Sequence, residues 1–360
     1  MNNILIHVKS EEALNNYIYM IENDKYDVEV PYSREVVQMV KEFFNNSWGV
    51  YLTTIENVDI NNETWNNVYY INENKKINMR LEEINEKIDF MMIRNLGSVE
   101  RNFKIISEYL EFLIEKYKGI TLNNAVAMRK GMTKDYLVEL NPNTMNEIGM
   151  LTIPSKTYSK EVSYEEIAKE YTDPEKYLIK PITGELSNSL KCLKDIDEEF
   201  LRYKQDKVGG WVIQPIKTEI WNGEYQLVFV GKKLIYAQKK NYSSEANSNI
   251  PNQKNRIIEK YNPSEEEIKI GENVIDYFSE LYNIKIDICR IDYMKNSEGK
   301  PILIEFEMVN PGFFIGYMNE NDKDIKHIVK KIREYCENYS KQHNWEHLKL
   351  SACKRYKNVV

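Results

Sequence analysis

Apolar and polar residues alternate along two segments near residue 300, and this pattern predicts a β-hairpin. The two strands are predicted at residues 286–294 and 301–309, joined by a turn around residues 296–300. Successive side chains of a strand point to opposite faces, so the apolar positions share one core face. That predicted core face comprises Cys289, Ile291 and Tyr293 on the first strand and Ile302, Ile304, Phe306 and Met308 on the second.

The opposite face of this hairpin carries charge. Arg290 and Asp292 lie on the first strand, and Glu305 and Glu307 lie on the second. A tight turn at residues 298–299 would place Asp292 opposite Glu305 and Arg290 opposite Glu307, with cross-strand neighbours about 5 Å apart. Two carboxylates at that separation repel each other unless a proton or a cation lies between them.

Two interpretations of this charged face are open. One is the ordinary solvated face of an antiparallel sheet. The other is the floor of a cleft, because apolar residues flank the charges on the same face. These flanking residues are Ile288, Met294, Leu303 and Val309. Carboxylate oxygens are the ligands that Mg²⁺ prefers, together with phosphate oxygens, so a cleft floor of this kind indicates phosphoryl chemistry.

Strands alternate with helices in the first third of the chain, which predicts an α/β unit. Strands are predicted at residues 4–8 and 89–93, and helices at residues 34–44 and 99–117. Ligands of open α/β sheets bind beyond the carboxyl ends of the strands. The loop after the second strand is therefore a first-substrate candidate through Arg94, Asn95 and Ser98; the alternative is a loop that only caps the next helix.

A lysine followed by a loop of small polar residues marks the middle of the chain. Residues 177–181 are predicted as a strand that ends with Lys180-Pro181, and the backbone N–H groups of the next loop suit a phosphate cover. The alternative for Lys180 is an ordinary surface lysine. The loop lacks the GxxxxGK[ST] spacing, so a P-loop is not supported. A helix is predicted at residues 125–140, ended by Asn141-Pro142.

The last part of the chain is rich in strands. Strands are predicted at residues 211–215, 225–230 and 233–239, and helices at residues 265–282 and 323–340. The polar stretch at residues 243–255 is either a lid that keeps water from the site or a surface loop.

Composition and charge narrow the class of protein. The 360 residues are 42% hydrophobic and 29% charged, a balance that excludes wholesale disorder. The formal net charge of −7 argues against a nucleic-acid partner, and no run approaches the roughly 20 apolar residues of a membrane span. The four cysteines and four histidines form no recognisable metal or disulfide motif, which favours a reducing cytoplasm.

Three groups of residues occur in an order that resembles the ATP-grasp superfamily. They are Lys180-Pro181 with the loop at residues 184–189, then the apolar strand Trp211-Val212-Ile213-Gln214-Pro215, then Arg290-Ile291-Asp292 with Glu305-Phe306-Glu307 and Pro311. The resemblance covers approximately residues 121–317. Its C-terminal half is similar to the glutathione-synthetase-like branch, which includes ligases of amino-acid antibiotic biosynthesis.

This resemblance implies an α/β (α+β) chain with the ATP-grasp fold. An N-terminal α/β domain would occupy residues 1–118, a central subdomain residues 119–205, and a C-terminal subdomain with the metal-binding strands residues 206–360. The two subdomains would clamp the nucleotide between them.

The activity that the resemblance implies is the ligation of a carboxylate to an amine. ATP would phosphorylate the carboxylate to an acyl phosphate, with Mg²⁺ or Mn²⁺ as the metal. An amine would then displace phosphate and form an amide bond between amino-acid or short-peptide substrates. Two alternatives stay open: an ATP-grasp kinase that phosphorylates a small-molecule hydroxyl, and a nucleotide-binding protein without catalysis. The resemblance also makes a homodimer a candidate assembly.

Carried over residue by residue, the resemblance assigns a nucleotide site. It comprises Lys134 and Lys180 for the phosphates, Gly184, Ser187 and Ser189 in the phosphate loop, backbone groups around Gln214 and Ile216 for adenine, and Glu219 for ribose. It also assigns Asp292, Glu305 and Glu307 to Mg²⁺, with Asn310 as the alternative last ligand.

The resemblance assigns the reacting phosphoryl group to Arg290, Lys239 and Arg256, because cationic side chains stabilise phosphate oxygens. This chain departs from the family at two places. Glu224-Tyr225-Gln226 stands where many members have Asp-x-Arg, so Gln226 falls in the substrate pocket without the usual arginine contact. Glu307 stands where glutathione synthetases have an amide.

Overall fold

Seven strands of the N-terminal part form the first sheet. The computed structural model describes residues 2–23, 31–183, 190–202, 209–242, 256–309 and 322–342. The strands are β1 (Asn3–Val8), β2 (Gly49–Thr54), β3 (Val58–Asp59), β4 (Thr64–Tyr70), β5 (Lys75–Arg80), β6 (Phe90–Ile93) and β7 (Ile120–Leu122). Their order is β3-β4-β2-β1-β6-β7, with β5 paired to β4. Because β1 runs parallel to β2 and β6, the predicted α/β class is confirmed.

Helices cover both faces of this first sheet. They are α1 (Glu11–Asn23), α2 (Pro31–Asn45), α3 (Leu81–Lys87), α4 (Val99–Lys116) and, from the C-terminal end, α10 (Asp322–Gln342). Ile4 and Ile6 of β1 pack with α1, α2 and α10, whereas Leu5 packs with α3 and α4. This alternation is expected of a strand that is buried on both faces. No helix in the described part of the chain is long and apolar enough to cross a membrane.

The middle of the chain forms a small antiparallel sheet. Its strands are β8 (Lys156–Ser159), β9 (Tyr177–Pro181), β10 (Lys191–Cys192) and β11 (Gly210–Pro215), in the order β10-β9-β11-β8. Ile179, Trp211 and Ile213 form its core with Ile167 of helix α8 (Tyr164–Glu170). The strand that was predicted to carry Lys180 is therefore present with the predicted bounds.

The single helix predicted at residues 125–140 is wrong. The structure has α5 (Ala125–Gly131) and α6 (Tyr136–Glu139), because the intervening backbone turns so that the N–H of Lys134 donates to the carbonyl of Ile182 at 2.8 Å. Asn141-Pro142 also opens a helix instead of only ending one. The Asn141 side chain accepts hydrogen bonds from the first turn of α7 (Pro142–Glu147), where a proline is well tolerated.

A five-stranded antiparallel sheet carries the charged hairpin. Its strands are β12 (Glu224–Val230), β13 (Lys233–Tyr242), β14 (Arg256–Lys260), β15 (Ile288–Lys295) and β16 (Pro301–Glu307), in the order β14-β13-β12-β15-β16. Helix α9 (Glu265–Tyr282) covers one face of this third sheet through Val274 and Phe278. On the other face, Val228 and Ile288 pack into the core that contains α1, α2 and α10.

The register of the hairpin agrees with the prediction. Asp292 pairs with Glu305, and Arg290 pairs with Glu307. The predicted core face is wrong beyond this point, because a bulge after Asp292 shifts the register and pairs Tyr293 with Leu303. Leu303, which was expected beside the charges, therefore joins the α9 core, and neither Ile302 nor Ile304 takes part in that core cluster.

The side chain of Asn123 connects the first sheet to the hairpin by hydrogen bonds. The amide nitrogen of Asn123, just after β7, donates to the carbonyls of Ile288 at 2.7 Å and Met308 at 3.0 Å. Its amide oxygen accepts from the N–H groups of Asp287 at 2.9 Å and Ile288 at 3.3 Å. This side chain thus replaces the backbone partners that β15 and β16 lack at their ends.

Candidate active site

A buried ion pair lies at the centre of the charged face of the third sheet. Arg290 donates from Nε to Oδ1 of Asp292 at 2.7 Å and from a terminal nitrogen to Oδ2 at 2.9 Å. Both side chains are almost fully buried. Burial raises the pKa of Asp292, and the positive charge of Arg290 opposes that rise. The cleft-floor interpretation therefore describes this face better than a solvated surface.

Lys134 contacts the hairpin at Glu305, and the charge of Lys180 acts on the same carboxylate. The ammonium of Lys134 lies 2.5 Å from Oε1 of Glu305. Burial would raise the pKa of Glu305, but Lys134, Lys180 and Arg290 together lower it to about 2. Burial, helped by the charge of Lys134, lowers the pKa of Lys180 to about 7. The structure thus brings together both lysines that the sequence assigned to the phosphates.

The three carboxylates assigned to a metal share one face but are engaged by protein groups. Asp292 is held by Arg290, Glu305 by Lys134, and Glu307 accepts from the Val309 N–H at 2.9 Å. Among the described residues, no three His, Cys, Asp or Glu side chains are grouped as a metal site. The oxygen donors are nevertheless of the type that Mg²⁺ takes, and two cations now neutralise the charge that the metal would neutralise. Asn310 lies outside the described residues.

A polar network continues the charged face across β12 and β13. Lys240 lies 2.7 Å from Oε1 of Glu224, and the Tyr242 hydroxyl donates to Oε2 of the same carboxylate. The Gln226 amide links Glu224 to Asp292, and Gln238 donates to Gln226 at 2.6 Å. Of the residues that β12 and β13 contribute to this network, only Gln226 was expected in the site from the sequence.

Lys239 does not lie on the charged face of the third sheet, although the sequence analysis expected it there. The ammonium of Lys239 lies 5.4 Å from the centre of the Tyr225 ring, on the face of the sheet that does not carry the ion pairs. The prediction that Lys239 lies among the charged side chains is therefore wrong, and Lys240 lies there instead. Consecutive lysines on a strand must point to opposite faces, and only the register decides which of them faces the site. Arg256 pairs with Tyr242 across β13 and β14, which places it on the charged face.

The segment assigned to the adenine is partly used by the protein itself. The Gln214 amide donates to the Ser155 hydroxyl at 2.6 Å. The Ile216 N–H donates to the Lys176 carbonyl at 2.8 Å, so this one backbone donor is paired within the protein. The assignment of backbone groups around Gln214 and Ile216 to adenine stays a prediction. Glu219 lies half-buried on the short 3₁₀ helix that follows. The predicted phosphate-loop residues Gly184, Ser187 and Ser189, and the stretch 243–255, lie outside the described residues.

The three first-substrate candidates have different surroundings. Arg94 forms a buried ion pair with Glu35 of α2, a residue that gave no signal in the sequence because it is distant along the chain. Burial raises the pKa of Glu35, and the charges of Arg94 and Arg290 both oppose the rise. Glu35 thus interacts with both arginines and connects Arg94 to the charged face of the third sheet. Asn95 instead accepts from the Gly97 N–H at 2.8 Å, and Ser98 precedes α4 without a side-chain cap.

Comparisons with known proteins identify the architecture. Neither a family model nor a curated protein matches the chain. D-cycloserine synthetase is 13% identical with a TM-score of 0.58, over 92% of this chain and 99% of that one. A RiPP-associated ATP-grasp ligase from Chryseobacterium gregarium, in complex with ADP and a leader and core peptide, is 13% identical with a TM-score of 0.57, over 93% and 97%.

A third solved structure is similar over the whole chain. D-alanine–D-alanine ligase from Bacillus anthracis is 15% identical with a TM-score of 0.56, over 94% of this chain and 100% of that one. This chain aligns with each of the three structures over nearly the full length of both chains, in spite of the low identity. The fold expected from the sequence is confirmed: this chain has the ATP-grasp fold.

Proposed function

We propose that the protein is an ATP-dependent carboxylate–amine ligase that forms an amide bond through an acyl phosphate. The observation that carries this proposal is the contact of Lys134 with Glu305 beside the Arg290–Asp292 pair, with the charge of Lys180 acting on the same carboxylate. Such a face offers cations for phosphate oxygens and carboxylates for a metal within one site. Two of the structural neighbours are named as ligases and the third as a synthetase, which supports ligation over other nucleotide chemistry.

The reaction transfers the γ-phosphoryl group of ATP to a substrate carboxylate oxygen, and ADP leaves. The amine then attacks the acyl carbon, phosphate leaves, and the amine loses a proton. Lys180 and Lys134 would bind the phosphates, while Arg290, Lys240 and Arg256 would hold the transferred phosphoryl group. Mg²⁺, held by Asp292, Glu305 and Glu307, would neutralise phosphate charge when it is bound.

The Lys134–Glu305 contact joins a candidate phosphate ligand to a candidate metal ligand, and each neutralises the charge of the other. Phosphate oxygens compete for the ammonium of Lys134, and a metal competes for the carboxylate of Glu305. Lys134 would therefore move from Glu305 to phosphate as the metal–nucleotide complex enters, without leaving an unpaired charge in a buried site.

Residues outside the charged face would hold the first substrate and the adenosine part of the nucleotide. Arg94 would bind the first substrate with Glu35 beside it, and Gln214 and Glu219 would line the adenosine part. The division at residues 1–118, 119–205 and 206–360 stays a prediction, and β7 (Ile120–Leu122) pairs with the first sheet. The reducing cytoplasm also stays a prediction, in agreement with the free, buried thiols of Cys192 and Cys336.

Trapping of the acyl phosphate tests the proposal. The purified protein is incubated with ATP, Mg²⁺, hydroxylamine and a panel of single amino acids, and both ADP and hydroxamate are measured. We expect release of ADP that depends on one amino acid, with an equal amount of hydroxamate. A stable phosphorylated product without hydroxamate would instead identify a kinase. Binding of ADP without any turnover would identify a non-catalytic nucleotide-binding protein.

A further inference from the structure

We propose that Gln226 is a positioning residue that fixes Asp292, and through it Arg290, for the proposed reaction. This inference rests on the proposed function, because it concerns the same charged face. Gln226 is completely buried on β12, directly across from Asp292 on β15. It therefore acts on the site through a neighbour and not by contact with a substrate.

The orientation of the Gln226 amide is determined by its two acidic neighbours. Its Nε2 donates to Oδ2 of Asp292 at 2.7 Å and to Oε1 of Glu224 at 3.0 Å. Both acceptors are carboxylates, so only the NH₂ group of the amide can face them. The carbonyl oxygen of Gln226 must then face the opposite way, where it accepts from Nε2 of Gln238 at 2.6 Å.

The same logic sets the orientation of Gln238. Because its NH₂ group serves Gln226, its carbonyl oxygen points elsewhere and has no hydrogen-bond partner within the described structure. A buried acceptor without a partner is unfavourable. This unpaired oxygen of Gln238 lies at the end of the network that is farthest from Asp292. The hydrogen bonds from Arg290 and Gln226 to the Asp292 carboxylate are therefore all formed.

One amide thus joins two buried ion pairs. Glu224 is paired with Lys240 on one side, and Asp292 is paired with Arg290 on the other. Each pair is neutral by itself, and the attraction of Arg290 for Glu224 and of Lys240 for Asp292 also acts between the pairs. The shared NH₂ group of Gln226 ties the plane of the Asp292 carboxylate to the β12 strand, and the two parallel hydrogen bonds from Arg290 transmit that plane to the guanidinium. Removal of the amide would free Asp292 to rotate together with Arg290.

The substitution Gln226→Met removes the amide and keeps the length of the side chain. We expect kcat to fall at least tenfold, because Arg290 no longer holds the transferred phosphoryl group in one orientation. The Kd for ADP measured without Mg²⁺ should stay within twofold, since Lys134 and Lys180 are untouched. Gln226→Asn, which keeps an amide but is one methylene too short, should show the same separation of kcat from this Kd.

The control lies on the opposite face of the same sheet. The hydroxyl of Tyr293 donates to Glu267 at 2.6 Å in a buried position, so Tyr293→Phe also removes one buried hydrogen bond to a carboxylate. It should lower the melting temperature and leave kcat within twofold. If Gln226→Met lowers the melting temperature in the same way but keeps the wild-type kcat, Gln226 has only a structural role and the proposal is wrong.

A second measurement does not depend on turnover. With ¹⁵N-labelled arginine, the Nε–H of Arg290, assigned by its loss in Arg290→Lys, should exchange slowly with solvent in the wild type because it is bonded to Asp292. In Gln226→Met this exchange should be at least tenfold faster; an unchanged rate would overturn the positioning role. If no amino acid supports ligation, the proposed function fails, while the exchange experiment still decides the positioning role.

Discussion

Nucleotide binding should weaken as the pH rises above 7, because Lys180 must be charged to bind phosphate. Burial beside Lys134 lowers the pKa of Lys180 from 10.5 to about 7, so the free protein loses this proton in the neutral range. Bound phosphate favours the charged form and raises the pKa again. Below pH 7 the Kd for ADP should be constant. Above pH 7 it should rise about tenfold per pH unit, which corresponds to about 1.4 kcal/mol per unit.

The assay is calorimetric titration with ADP between pH 7 and 9, in buffers with different ionisation enthalpies. At pH 8.5 the wild type should take up about one proton per ADP bound, because nearly all Lys180 is neutral beforehand. Lys180→Arg is the matched control, since a guanidinium stays charged over this range and the pH dependence should disappear. A wild-type Kd that does not change between pH 7 and 9 would refute the role of Lys180 as a titrating phosphate ligand.

The ligand-free protein should respond to pH in the opposite direction. Between pH 7 and 10 the unfolded chain binds a proton at Lys180 that the folded chain lacks, so the free energy of unfolding rises with pH. The slope from this group is about 1.4 kcal/mol per pH unit. Urea unfolding of the wild type and of Lys180→Met measures it as a difference, because the variant lacks this contribution; equal pH slopes would contradict a depressed pKa in the folded state.

Three further predictions concern single side chains. Glu305→Gln should abolish Mg²⁺-dependent ADP release and keep the circular dichroism spectrum of the wild type; wild-type turnover would contradict the metal assignment. Lys240→Met should lower kcat at least tenfold and Lys239→Met less than twofold in the same assay, because only Lys240 faces the site; the reverse order would restore the assignment made from the sequence. Asn123→Ala should lower the free energy of unfolding by about 3 kcal/mol in urea titrations, since four buried backbone groups lose their partner, and a loss below about 1 kcal/mol would show that water replaces it.

The sequence was most informative where local rules decide the structure. The bounds of α9 were predicted without error, because Ser264 and Glu267 form a capping box at its start and apolar residues follow at helical spacing. This feature depends on residues that are close together along the chain. The pairing of Asp292 with Glu305 is as predicted, but not for the predicted reason. The strands beside the turn pair one residue out of the expected register, with Lys295 opposite Pro301, and the bulge after Asp292 restores that register at the charged residues.

Features that depend on distant pairing were not predictable. The bulge after Asp292 gives no signal in the hairpin sequence, yet it moves Leu303 from one face of the sheet to the other. The choice between Lys239 and Lys240 depends on the register of β13 against β12. Glu35 joins Arg94 only because α2 packs near the end of β6. In each case the residue's position depends on a second strand or helix that packs against its own. The periodicity of a single segment gives no information about that second element.

The core shared by the two ends of the chain has a consequence for synthesis. Val8 of β1 and Val37 of α2 pack in the same cluster as Val230 of β12 and Ile332 of α10, so residues more than 300 positions apart complete one interior. A ribosome that has made only the first sheet has therefore not yet supplied the helix that closes it. Contacts of such separation form slowly. The newly made N-terminal part therefore exposes an apolar surface until α10 is synthesised. Chaperones that bind such surfaces should associate with it during this interval.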